Sequence, residues 1–177
     1  MKTGQRSMDS PLGSLWLRAD TSGWLTDLRI GEEPGIEARC VGEDDPSPDA
    51  ARVLDAAATQ LDEYFECRRV SFDIPLTIKG SAFQRQVWAE LLKIPYGTTV
   101  SYSHLAVEIG RTGAARAVGH ANARNPIAII VPCHRVIGSS GLLTGYGGGL
   151  RAKQHLLDLE ARGPRRSSRR ISPRVAP

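Results

Sequence analysis

SYSHLAVEIGRTGAARAVGHANARNPIAIIVPCHRV, residues 101–136, carries the two features on which the fold turns. The first is a pair of short helical patterns. Ser101 is placed to cap YSHLAVEI, which Gly110 closes. Thr112 is expected to cap GAARAVGHANA, which stops before Asn125-Pro126. Two short helices joined by a glycine-containing turn predict a helix-turn-helix. The second helix is mostly Ala and Gly, with Arg116 and few long polar side chains to read base edges in a major groove. Small residues suit a close backbone approach, either to a narrow groove or to a packed core. The second feature is IAIIV, residues 127–131, a continuous apolar run that predicts a buried strand. Pro132 ends it, so Cys133 is expected at the strand's mouth, followed by His134 and Arg135.

Upstream, Ser81 opens a helix whose apolar face is Phe83, Val87, Trp88, Leu91 and Leu92, ending at Pro95-Tyr96-Gly97. Downstream, residues 150–160 form a last helix, and the Arg-rich stretch 162–177 has no apolar period and is expected to be disordered. In the N-terminal half, residues 14–20 and 23–30 alternate apolar and polar around Thr21-Ser22-Gly23, which predicts a hairpin. Residues 31–48 are an acidic Gly/Pro loop. Ser47-Pro48 then offers a cap and a first-turn proline for a helix carrying Val53, Ala57, Leu61, Tyr64 and Phe65. VSFDIPL, residues 70–76, is expected to return to the hairpin as a strand. The fold class is therefore α+β. Residues 1–78 make a small antiparallel sheet with a helix. Residues 79–161 make a mostly helical domain with the helix-turn-helix and the strand and turn bearing Cys133, and residues 162–177 are the tail.

The chain of 177 residues is 41% apolar, enough to bury a core. No apolar run is long enough to span a membrane, and the N-terminus lacks the apolar stretch of a signal peptide, so a cytoplasmic protein is expected. The net charge of +4 conceals a segregation. Residues 1–78 carry 8 basic and 15 acidic side chains, net −7. Residues 79–160 carry 9 and 4, net +5, and residues 161–177 add 6 arginines. A basic C-terminal half points to a polyanion, with nucleic acid the first candidate. The cysteines are three and scattered (Cys40, Cys67, Cys133), without a C-x-x-C pair, so neither a disulfide framework nor a zinc ribbon is indicated.

Cys133 is the one thiol in chemically suggestive company. His134 and Arg135 favour a thiolate. Asn125-Pro126 and the glycine-rich residues 138–149 supply pocket walls with exposed N–H groups, and Glu160 is a candidate orienting carboxylate. An unperturbed thiol near pKa 8.5 is about 3% ionised at pH 7. Adjacent residues of an extended chain point to opposite faces, so His134 reaches its neighbour's sulfur only if the chain turns or a water bridges. That disfavours a plain cysteine hydrolase.

PCHRVIG, preceded by RAVGHANARNPIAIIV and followed by SSGLLTGYGGG and LLDLE, closely resembles the O6-alkylguanine-DNA alkyltransferases, also called methylated-DNA–protein-cysteine methyltransferases. The resemblance spans residues 83–160 and is weaker in the N-terminal half, where SPLGSLWL and LDEYF carry it. It implies a repair protein that flips O6-alkylguanine from duplex DNA and takes the alkyl group irreversibly onto Cys133, turning over once. By that resemblance His134 removes the thiol proton through a water, Glu160 holds the imidazole, Tyr102 protonates the leaving base at N3, and Asn125 fixes the turn. The carbonyls of Cys133 and Val136 would accept from the guanine amino group, Tyr146 and Gly147 would cover the base, and Ser139 and Ser140 would line its pocket. Arg116 would fill the hole left in the stack, with Ala115, Gly119 and Arg135 also facing DNA in the minor groove. The partner implied is double-stranded DNA containing O6-alkylguanine, with O4-alkylthymine a second lesion, and the protein is expected to act as a monomer near the nucleoid. No cofactor is implied. Some relatives bind a structural zinc near the N-terminus, but His104, His120, His134 and His155 all lie beyond residue 100 here, so no metal is expected. The competing readings are an alkylguanine-binding module without transfer, which the presence of Cys133 opposes, and a helix-turn-helix regulator.

Overall fold

The computed structural model describes residues 3–31 and 46–163. The expected disordered tail beyond residue 163 and Cys40 therefore lie outside the described residues, as does most of the acidic loop. The chain divides into two compact units, the first running to Ile78 and the second covering Lys79–Gly163.

The first unit is a three-stranded antiparallel sheet in the order β1 (Gly4–Met8), β2 (Leu15–Ala19), β3 (Leu25–Ile30), covered by the helix α1 (Pro48–Phe65). Alternation places Leu15, Leu17 and Ala19 of β2 on the covered face, where they are buried with Leu25 and Leu28 of β3. They meet Val53, Leu54, Ala57, Leu61 and Tyr64 of α1. The hairpin turn is held by Asp20, whose Oδ1 accepts from the N–H groups of Ser22 and Trp24. Ser47 caps α1 through the Ala50 N–H, with Pro48 in the first turn as expected. One strand was not foreseen and one expected strand needs correction. GQRSM forms β1 although it lacks apolar alternation, because it is an edge strand with mostly polar, partly exposed side chains. Residues 70–76 are not a strand. They touch the sheet in a single bridge from Leu76 to Leu25, while Gln60 satisfies both the N–H and the carbonyl of Asp73. Their ladder is thus replaced by side-chain bonds.

In the second unit α2 (Ala82–Leu91), α3 (Tyr102–Glu108) and α4 (Ala115–Ala123) pack together around Val87, Trp88, Leu91, Leu105, Ala106, Val118 and Ala121. Ser81 and Gln84 form a capping box on α2. Ser101 caps α3 through the His104 N–H, and Gly110 ends it at φ +67. The helix-turn-helix is α3 and α4. Thr112 does not cap α4: the N-cap is Ala114, which has no side chain to accept, and Gly113 at φ +86 makes the turn. The indole of Trp88 donates to the Ala121 carbonyl at 2.9 Å and locks α4 onto α2. A two-residue parallel ladder joins β4 (Val100–Ser101) to β5 (Val136–Ile137), and α5 (Gly149–Ala161) closes the unit.

Candidate active site

The apolar run 127–131 is buried as expected, but it is a turn and not a strand. Val131 N–H donates to Ile127 O at 3.1 Å and Ile130 N–H to Ala128 O at 2.7 Å. Ile129 adopts φ +68, a conformation that a β-branched residue takes only under constraint. Asn125 supplies that constraint. Its Oδ1 accepts from Ile127 N–H at 3.1 Å, and its Nδ2 donates to Val131 O at 2.8 Å and to the Cys133 sulfur at 2.9 Å. Cys133 accordingly opens a 3₁₀ turn, Cys133–Arg135, rather than ending a strand. The chain does turn at the thiol, which removes the objection that neighbouring side chains must point apart.

The thiol is buried. Burial pushes its pKa up to about 11, against the pull of the Asn125 hydrogen bond and the nearby Lys153 charge. An unperturbed 3% thiolate is therefore too generous; about one part in 10,000 ionises unaided at pH 7. His134 is fully buried, and its Nε2 lies 2.9 Å from Glu160 Oε1. A carboxylate accepts, so Nε2 carries the proton and Nδ1 holds the free lone pair. Nδ1 is buried and meets no protein hydrogen-bond partner. Burial lowers the His134 pKa below its ordinary value although Glu160 opposes it, and a neutral ring is a base in waiting.

Glu160 is the hub. Its carboxylate accepts from His134, from Arg135 Nε and Nη2 at 2.9 and 2.8 Å, and from the Gly97 N–H at 2.9 Å. Burial alone would raise its pKa, but His134 and Arg135 hold it down to about 2. Arg135 also donates to Ile94 O and lies over the Tyr96 ring. Its expected role on DNA is corrected by this placement: the guanidinium is buried and committed to Glu160.

Two buried polar residues were missed. Asn122 Nδ2 donates to the Cys133 carbonyl at 3.2 Å, and that carbonyl also accepts from the Val136 N–H. Lys153 is fully buried and donates to Val136 O at 2.6 Å and Thr144 O at 3.0 Å. No acidic partner of Lys153 is present among the described residues. It is a cation placed to oppose the rise in the Cys133 pKa. Both had a signal. Asn122 shares the apolar face of α4 with Val118, and Lys153 that of α5 with Leu156 and Glu160. A polar side chain on an apolar stripe needs a reason.

The other expected residues divide. Tyr102, half-buried on α3, accepts at its hydroxyl from Thr144 Oγ1 at 3.1 Å, and Lys153 Nζ lies 5.9 Å from its ring centroid. The Tyr146 hydroxyl is buried without a hydrogen-bond partner, and its pKa is pushed well up by burial, then by Cys133 and Glu160. Ser139, Ser140 and Gly147 are exposed in the loop between β5 and α5, and Val136 is buried. On α4, Arg116, Ala117, His120 and Ala123 are exposed, as is Arg124 at its C-cap, while Ala115 and Gly119 are half-buried beside them. The outward face of this helix is thus built of small residues and cations. Among the described residues no group of three or more His, Cys, Asp or Glu side chains could hold a metal ion. No helix among them is long and apolar enough to cross a membrane.

Residues 82–162 match the family model described as the DNA binding domain of 6-O-methylguanine DNA methyltransferase, and residues 5–78 match its ribonuclease-like domain. A methylated-DNA–protein-cysteine methyltransferase of Mycolicibacterium paratuberculosis is 52% identical over 157 residues, covering 89% of this chain and 92% of that protein. One from Methanosarcina acetivorans is 43% identical over 154 residues, covering 86% and 94%. The crystal structure of Mycobacterium tuberculosis O6-methylguanine methyltransferase superposes with a TM-score of 0.82 at 46% identity, covering 93% of this chain and 96% of that one. A structure of Mycobacterium tuberculosis OGT in complex with DNA gives 0.78 at 50% identity, covering 90% and 94%.

Proposed function

The chain belongs to the O6-alkylguanine-DNA alkyltransferase, or methylated-DNA–protein-cysteine methyltransferase, family, and from that footing we propose which of its residues carry the reaction. The protein repairs DNA by moving an alkyl group to a cysteine, and its partner is DNA containing alkylated guanine. We assign the accepting sulfur to Cys133. The observation that carries this assignment is the constellation itself: a buried thiol held by Asn125 beside an imidazole whose Nε2 is tied to Glu160.

The family resemblance and the site geometry together support the following steps. Glu160 keeps the Nδ1 lone pair of His134 free, and that nitrogen takes the thiol proton through a bridging water. Lys153 and the Asn125 amide stabilise the sulfur anion. The thiolate attacks the alkyl carbon in line, the carbon–O6 bond breaks, and the guanine leaves as Tyr102 delivers its phenolic proton to N3. A thioether remains, which water does not cleave, so each molecule acts once. The Cys133 carbonyl already takes two donors and the Val136 carbonyl one, from Lys153, so the guanine amino contact rests on the second lone pair of the Val136 oxygen. Tyr146 and Gly147 cover the base, with Ser139 and Ser140 at the rim.

To reach the thiol the base leaves the duplex, at about a few kcal/mol for unstacking and unpairing. Arg116, exposed on α4, occupies the vacated space, and Ala115 and Gly119 let that helix lie close in the minor groove. Residues 79–161 form the DNA-binding and transfer domain in this reading, with residues 1–78 a separate N-terminal domain. The protein works as a monomer in the cytoplasm at the nucleoid, and O4-alkylthymine is a second lesion. The test is Cys133→Ala with a duplex containing O6-methylguanine. Transfer should vanish while binding persists, since the sulfur adds little to the interface. Residual transfer at the wild-type rate would reject the assignment.

A further inference from the structure

Thr144 lies in the loop between β5 and α5, outside every role assigned above. Its Oγ1 donates to the Tyr102 hydroxyl at 3.1 Å. Its own carbonyl accepts from Lys153 Nζ at 3.0 Å, and the same ammonium donates to Val136 O at 2.6 Å. The threonine backbone is therefore tied, through one buried cation, to the strand that follows the Cys133 turn. Lys153 Nζ also lies 5.9 Å from the Tyr102 ring centroid. A phenol has one proton to donate and an oxygen that accepts. When Thr144 donates to that oxygen, the Tyr102 proton is left for another acceptor.

We infer that Thr144 is a positioning residue for proton delivery: its hydroxyl turns the Tyr102 O–H toward the departing guanine and stabilises the phenolate that remains. The inference rests on the reading of Tyr102 as the proton donor. The balance is simple. As the alkyl carbon–O6 bond breaks, the guanine gains an electron pair. The Tyr102 O–H bond breaks, an N3–H bond forms, and the negative charge moves to the phenolic oxygen. A hydrogen bond to a charged oxygen is stronger than one to a neutral oxygen, so the Thr144 contact tightens as the proton leaves. Such a contact favours the transition state over the ground state. Lys153, fixed under the same ring, adds a cation on that side.

Thr144 is exposed, so its substitution removes no core packing. The experiment is a coupled series in the full-length protein: Thr144→Val, Thr144→Ser, Tyr102→Phe and the double variant Tyr102→Phe/Thr144→Val. Single-turnover transfer from an O6-methylguanine duplex and duplex affinity are both measured. Thr144→Val should slow transfer about tenfold, the worth of one hydrogen bond that becomes charge-assisted, with affinity unchanged. Thr144→Ser should restore most of the rate. In the Tyr102→Phe background the valine should cost nothing further, because the oxygen it served is gone. A valine variant at the wild-type rate, or one that loses as much when Tyr102 is already replaced, overturns the inference. Wild-type transfer by Tyr102→Phe alone would reject the proton-donor reading beneath it, and the inference with it.

Discussion

Replacing His134 by phenylalanine isolates the relay. The structure sets the scale of the effect. Burial raises the Cys133 pKa to about 11, so without a base about one thiol in 10,000 is ionised at pH 7. General-base assistance contributes about 10²- to 10⁴-fold. His134→Phe should thus slow transfer by about that factor at pH 7. The variant's rate should then climb about tenfold per pH unit toward pH 11, as the thiol ionises unaided. The wild-type protein should show a much flatter profile across the same range, since its buried imidazole stays neutral. Phenylalanine keeps the ring in a fully buried site and removes one bond, to Glu160 Oε1, while Arg135 and the Gly97 N–H still satisfy that carboxylate. Glu160→Gln is the harsher probe. It leaves the buried Arg135 without its anion, a loss of about 3–5 kcal/mol. The assay is single-turnover transfer from an O6-methylguanine duplex between about pH 6 and 10, with the fold checked by circular dichroism. A folded His134→Phe protein with an unchanged rate at pH 7 would refute the relay. Activation would then fall to Lys153 and Asn125, because Arg135 is turned to Glu160.

Arg116→Ala should weaken repair of duplex DNA more than reaction with free O6-benzylguanine, since only the duplex requires a base to be flipped; equal losses on both would reject the hole-filling role. Cys67 ends α1 at φ +57, with Arg68 N–H donating to Glu63 O, a cap that suits glycine. Cys67→Gly should therefore raise stability by about 1 kcal/mol in urea unfolding, the left-handed strain relieved less the extra freedom of the unfolded glycine. Stability should also fall in acid. Glu160 is ionised in the folded protein down to about pH 2, whereas the unfolded carboxylate takes a proton near pH 4.3. The unfolded state binds more protons in that window, so stability drops as pH falls through it. His134, held below its ordinary value mainly by burial, adds a loss that begins below about pH 6.5. A urea midpoint unchanged between pH 7 and pH 4 would contradict both.

The helices were legible because their ends are written in short-range chemistry. Ser47-Pro48, the Ser81–Gln84 box and Ser101 all cap as their types predict. Thr112 failed because Gly113 and Ala114 take the turn in its place. Residues 127–131 misled because an apolar run reports burial and not conformation. The decisive partner was Asn125, whose side chain binds Ile127 and Val131 and converts an expected strand into a turn. The relay depends on a contact across 26 positions between His134 and Glu160. No local pattern encodes such a contact, and the family resemblance supplied it. The family resemblance placed Arg135 on DNA; Glu160 draws it inward. Thr144 is a loop residue whose single telling bond reaches Tyr102, 42 positions away.

Every step of the mechanism depends on the identity of the accepting sulfur. The protein should be incubated with an oligonucleotide duplex carrying O6-methylguanine, digested, and its cysteine peptides mapped by mass spectrometry. The mass of one methyl group should be found on the peptide containing Cys133, in proportion to the lesion supplied, and on no other cysteine. Methyl on Cys67 or Cys40, with Cys133 unmodified, would contradict the mechanism at its centre.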